Sequence, residues 1–238
     1  MAFLSARWSK LCLFNYAVDP AVLAKRLPAQ LTLDTLNGQA FVSLVAFDFL
    51  KTRVLGIPWP GFINFPEINL RFYVKQADGT RGVMFVRELV PQWLVATMAK
   101  QLYNEPYEST TMRSVVTQDS DRVHVAHDWI WEGQEHSLEV QAGGQDALPE
   151  DDSQAHFFKE HQWGYGVDRR GRTLVYEVRH PHWRTYPVES HKLKVDFGQL
   201  YGAEFASLTG QEPYSVFLAE GSEIEVFGAR PFVDTPAL

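Results

Sequence analysis

Residues 65–74 read Phe65, Pro66, Glu67, Ile68, Asn69, Leu70, Arg71, Phe72, Tyr73 and Val74. Side chains alternate between faces along an extended strand. Ile68, Leu70, Phe72 and Val74 therefore share one wholly apolar face, which must be buried. Glu67, Asn69, Arg71 and Tyr73 share the other, so an acid, an amide, a guanidinium and a phenol stand in register. Two readings are open. The polar face is the solvent side of an edge strand, or it lines the polar interior of a closed sheet. In the second case Arg71 is a fork-shaped carboxylate clamp, and Glu67 is its salt-bridge partner or an acid/base group.

The next strand ends in Arg87 and Glu88, after Gly82, Val83, Met84, Phe85 and Val86. Adjacent residues point to opposite faces, so at most one of the two shares a pocket with Glu67. If it is Glu88, two carboxylates share a low-dielectric site and one has a raised pKa, which suits proton transfer. The alternative is two surface charges at a strand end.

The rest of the chain reads mostly as strand. Asn37 and Gly38 predict a hairpin joining strands at 31–36 and 39–50, and Asp78 and Gly79 predict one joining 67–76 and 81–89. Strands are expected at 109–118, 122–131, 136–141, 165–167, 173–180 and 189–197, with a last hairpin of 214–219 and 223–227. Asp19 and Pro20 open a short helix. Helices are also expected at 91–103 (Leu94, Val95, Met98 and Leu102 on one face), at 154–161 and near 199–205. The Gly- and acid-rich stretch 142–152 is read as an internal loop. Residues 1–238 are thus expected to form a single domain, a β-rich α+β barrel or sandwich with a few helices outside.

Composition narrows the function. Of the 238 residues 45% are hydrophobic, enough for a sizeable core. A net charge of −7 argues against nonspecific nucleic-acid binding, which needs a positive field. One cysteine, Cys12, excludes an internal disulfide and a cysteine-based zinc site. No secretory signal or membrane-length apolar run is expected, and the expected location is cytoplasmic.

No nucleophile elbow, P-loop or dinucleotide fingerprint occurs. The histidines give no metal pattern along the chain. His124 and His127 have opposite strand parity, His156 and His161 are five apart, and His180 and His182 have no acidic third ligand spaced nearby. No metal and no cofactor are expected. Trp129 to Trp131 and His180 to Trp183 read as packing, and Arg169, Arg170, Gly171 and Arg172 as a solvated turn.

Several stretches together resemble the YqjF-like family of bacterial proteins. They are Trp8, then Val18, Asp19 and Pro20, the helix end at Leu27 and Pro28, residues 37–42 and 65–71, residues 167–171, and residues 180–183. That family is distantly similar to acetoacetate decarboxylase. The resemblance implies a closed, mostly antiparallel, acetoacetate-decarboxylase-like β-barrel with a polar central cavity, and it favours an inward-facing Glu67, Asn69 and Arg71. The decarboxylase carries an Arg-Glu strand end, matched here by Arg87 and Glu88, then a proline followed by a Schiff-base lysine. In this chain Tyr107 and Glu108 follow Pro106, and the nearest lysine along the sequence is Lys100. The resemblance therefore implies the fold without Schiff-base decarboxylation.

The functional expectation is a barrel cavity that binds a small carboxylate or carbonyl compound. Asn69, Arg71, Tyr73 and Arg87 are its candidate ligand-binding residues. Glu67, Glu88 and Tyr107 are its candidate acid/base residues for lysine-independent chemistry. A non-catalytic binder and a structural protein stay open beside it, and the family resemblance leaves room for a homo-oligomer. No nucleic-acid or membrane partner is expected.

Overall fold

The computed structural model describes residues 2–92 and 106–233. The expected helix at 91–103, and Lys100 with it, lies almost wholly outside those residues. An eleven-stranded sheet is built around β1 (Leu4–Val18), β3 (Ala40–Val54), β4 (Phe65–Lys75) and β5 (Arg81–Val90), paired antiparallel in that order. The short β2 (Thr32–Leu33) pairs with β4, and β6 (Tyr107–Ser109) pairs in parallel with β5. A separate four-stranded sheet holds β7 (Met112–Gln118), β8 (Arg122–Trp131), β9 (Gln134–Gly143) and β13 (Val188–Lys194). The large sheet continues through β10 (Trp163–Val167) and β11 (Thr173–Arg179), with β12 (Thr185–Tyr186), β14 (Ser215–Val226) and β15 (Arg230–Pro231). Helices are few and short: α1 (Pro20–Ala24), α2 (Gln154–Lys159), α3 (Phe197–Tyr201) and a 3-10 turn at Ala203–Leu208. The fold is β-rich as expected, but its strands divide between two sheets.

Both faces of β4 are covered, because the large sheet has a core on each side. Ile68, Leu70, Phe72 and Val74 pack with Phe14, Leu44, and Val125 and Val140 of the small sheet. The opposite face carries a second cluster with Phe47, Phe49, Phe65, Val83 and Trp183. No helix among the described residues is long and apolar enough to cross a membrane.

Two hairpin expectations need correction. Asn37 and Gly38 do take the positive φ of a tight turn, but the strand before them is only a bridge at Leu36 and Gln39, and β2 pairs with β4. The expected hairpin at 214–227 is instead one long strand, β14 (Ser215–Val226). At its centre Gly221 has a φ of +78°, and a Cβ there would lie 2.1 Å from the Trp8 carbonyl oxygen. The glycine permits a close strand approach where the sequence suggests a turn.

Gly221→Ala should therefore cost at least about 2 kcal/mol, combining left-handed strain with a backbone clash. Gly228→Ala has open space and no positive φ, and it should stay within about 0.5 kcal/mol of wild type. Equal urea midpoints for the two variants would refute the close-approach argument.

Candidate functional site

The polar face of β4 lies inside. Glu67, Asn69 and Arg71 are 3%, 2% and 7% exposed, and all three line a cavity of about 170 Å³. Much of the remaining wall is aromatic: Trp8, Phe47, Phe49, Phe65, Phe85 and Trp183. Sequence alternation left the direction of this face open, and the structure turns it inward.

A bulge brings Glu88 to the same cavity. Leu70 pairs with Arg87, but Arg71 pairs with Phe85, so Val86 is an extra residue in β5. Three residues apart in a regular strand, Phe85 and Glu88 would face opposite sides. With the bulge both line the cavity. Arg87 is turned away: its guanidinium donates to the Leu200 carbonyl and lies 4.8 Å from the Trp131 ring centroid. The expectation that Arg87 joins the ligand-binding set is corrected on this ground. β6 aligns Tyr107 beside Glu88, and Tyr107 also lines the cavity.

These groups form one hydrogen-bonded cluster. Asn69 Nδ2 donates to Glu67 Oε1 at 3.0 Å, and Tyr107 Oη donates to Glu67 Oε2 at 3.0 Å. Glu67 is also hydrogen-bonded to the Glu88 side chain. Two carboxyls can share such a bond only when one keeps its proton. Desolvation by burial pushes the Glu67 pKa from 4.5 up to about 7, against the opposing pull of Asn69, Tyr107, Glu88 and the Arg71 charge. Burial first, then the negative fields of Glu67 and Glu88, holds the Tyr107 phenol well above its ordinary value. The arrangement can hold and transfer a proton near neutral pH.

Arg71 makes no ion pair with Glu67 among the described residues. Its Nη2 donates to the Phe158 carbonyl at 2.8 Å, while Nε has no partner among those residues. Tyr73 is buried on the same face but does not line the cavity. Its hydroxyl bonds Ser43 and donates to the Phe158 carbonyl at 3.3 Å.

Among the wall residues not singled out for the site from sequence are Lys159, His161 and Trp183. Lys159 and His161 come from the segment that begins with α2, and Trp183 from the loop after β11. Lys159 is 2% exposed, and its ammonium is held by Glu160. Neither ring nitrogen of His161 has a partner among the described residues. Burial, and then the Arg71 and Arg81 charges, keeps that imidazole neutral well below its ordinary pKa. No local signal marks these positions, because they meet β4 only through long-range folding. Cys12 is buried, and desolvation raises its thiol pKa, as expected for an inert thiol.

The fold is that of acetoacetate decarboxylase-like proteins. An acetoacetate decarboxylase from Legionella pneumophila superposes with a TM-score of 0.66 at 12% identity, covering 99% of this chain and 90% of that one. The enduracididine biosynthesis enzyme MppR gives 0.68 at 14% identity, covering 98% and 88%. An acetoacetate decarboxylase-like enzyme from Sphingomonas wittichii RW1 gives 0.65 at 12%, covering 98% and 94%. At these identities the likeness is one of fold. The chain belongs to the family DUF2071, described as an uncharacterized conserved protein, whose model matches residues 5–223. The uncharacterized protein YqjF of Bacillus subtilis is 33% identical over 108 residues, which span 45% of this chain and 44% of that relative.

Two outcomes follow. Because the folded Glu67 pKa is raised, the native state keeps a proton that the unfolded chain releases. Stability should be full below pH 4.5 as far as this group is concerned, and fall as pH rises through about 7. The loss should be on the order of 3 kcal/mol. Urea melts at pH 5, 7 and 9 should show this decline in wild type and a flatter profile in Glu67→Gln; identical slopes would remove Glu67 as the cause. Second, since Lys159 is committed to Glu160, borohydride with acetoacetate should leave the intact mass unchanged. A reduced adduct on Lys159 would show a free, nucleophilic amine.

Proposed function

We propose that this protein binds a small carboxylate or carbonyl compound in the β4–β5 cavity and moves a proton on it without a Schiff base. The observation that carries this reading is the buried Glu67–Glu88–Tyr107 cluster lining the same cavity as Arg71, whose Nε has no partner among the described residues. Buried polar atoms are rarely left without partners in native proteins, so Arg71 Nε and the single N–H of the neutral His161 ring favour a ligand that accepts hydrogen bonds there. The aromatic walls suit an apolar body attached to that polar group. The ionised carboxyl of the Glu67–Glu88 pair then takes a proton from the carbon next to the carbonyl, leaving a neutral carboxyl and a substrate enolate, and gives the proton back to carbon, while Tyr107 donates to Glu67 Oε2 when that carboxyl is ionised. Enolisation and hydration are the reaction types that need no more than this.

The pairing of β11 with β14 through Val178 with Val226 and Arg179 with Glu225 supports reading the large sheet as a closed barrel around the cavity. We also read the chain as a single domain, and the one buried thiol fits a cytoplasmic location. The second reading is the same cavity without turnover. Arg71 favours it as much as catalysis, since a clamp serves either.

A panel of small carboxylates, keto acids and enolisable ketones should raise the melting temperature of wild type. The shift should vanish in Arg71→Ala, whose fold is checked by circular dichroism. An unchanged shift in that variant would end the clamp role. In D2O, a bound ketone or keto acid should exchange protons at the carbon next to its carbonyl, followed by proton NMR. Glu67→Gln should slow this exchange by about 100-fold while retaining the thermal shift. Binding without exchange in wild type would establish the non-catalytic reading.

A further inference from the structure

We propose that Asp151, His156 and His182 form a site for a divalent transition-metal ion of the zinc class, outside the cavity. Asp151 lies in the loop before α2, His156 is on α2, and His182 follows β11. His156 Nδ1 is 3.6 Å and His182 Nδ1 is 4.0 Å from the same Asp151 oxygen, and the three ligand atoms lie within 4.8 Å of one another. The two imidazoles meet edge to face, with centroids 5.4 Å apart.

A tetrahedral ion with bonds of roughly 2.0–2.2 Å holds its ligand atoms about 3.5 Å apart. Closing the trio therefore takes at most about 1.3 Å between any two ligand atoms. Asp151 and His182 are exposed and His156 is half-buried, so side-chain rotation can supply it. The donor set fixes the class of ion. Two imidazoles and one carboxylate suit zinc, cobalt and nickel, whereas magnesium and calcium prefer all-oxygen shells. Three protein ligands leave a position for water.

The backbones on both sides are held in place. Ser153 caps α2 through the His156 amide. His182 is followed by Trp183, whose amide donates to Glu160 and whose indole donates to Ser222. His180 stacks on the Trp183 ring at 4.1 Å. A metal here would clip the α2 segment to the 180–183 loop. Those two segments supply Lys159 and Trp183 to the cavity wall. Sequence spacing gave His180 and His182 no acidic partner, because Asp151 arrives from a distant loop.

The test uses untagged protein stripped with EDTA. Zinc should bind at one equivalent by calorimetry and raise the melting temperature, and cobalt should give the visible bands of a tetrahedral site. His182→Ala and His156→Ala should each weaken zinc binding by about 100-fold with the fold intact by circular dichroism. Magnesium should bind no better to wild type than to either variant. Absence of zinc binding would overturn the proposal, and so would equal zinc affinity in wild type and both variants.

Discussion

β4 is removed from water on both faces, and the surrounding architecture answers that constraint. An apolar face needs only packing. An acid, an amide and a guanidinium taken out of water each cost several kcal/mol unless they find partners. The partners come from separate parts of the chain: β5 supplies Glu88, β6 supplies Tyr107, and α2 supplies the Phe158 carbonyl that accepts from Arg71 and Tyr73. Asn69 spends its amide on Glu67 within the same strand. The polar groups therefore fix where three other elements lie.

The charges are distributed unevenly around the cavity. At one end two carboxyls bond each other and a phenol. Nearby, Arg71 has spent one nitrogen on a backbone carbonyl, and Lys159 has spent its charge on Glu160. His161 stays neutral between arginines. On the proposed reading, Arg71 is thus the cation with capacity left for a ligand anion, and its charge also acts on Glu67 of the proton store. Both line one cavity, so on that reading a single molecule meets them together.

Much of this arrangement was legible from period-2 alternation alone. It placed Glu67, Asn69, Arg71 and Tyr73 on one face, and it framed Glu88 as the neighbour that would matter if it faced the same way. Tyr107 came from family resemblance, since nothing local marks it. What stayed hidden was either non-local or a break in regularity. Lys159, His161 and Trp183 reach the cavity through chain folding that no short pattern encodes. Strict alternation could not choose between Arg87 and Glu88, because the choice depends on the bulge at Val86. Gly221 misled in the opposite sense: a glycine that suggests a turn instead lets two backbones approach inside a strand.

The extra residue at Val86 bears on how relatives should be compared. A homologue one residue shorter between the positions of Phe85 and Glu88 would still set its acid opposite the position of Asn69, because the three-residue step would shrink to the two-residue step of a regular strand. The pair is lost in the other case: in a homologue of equal length whose β5 ran without the bulge, the acid would emerge on the far side of the sheet. In an alignment, a single-residue gap at this point therefore marks loss of the bulge and not of the carboxyl pair, whereas ungapped chains can differ in the pair even where the glutamate itself appears in both.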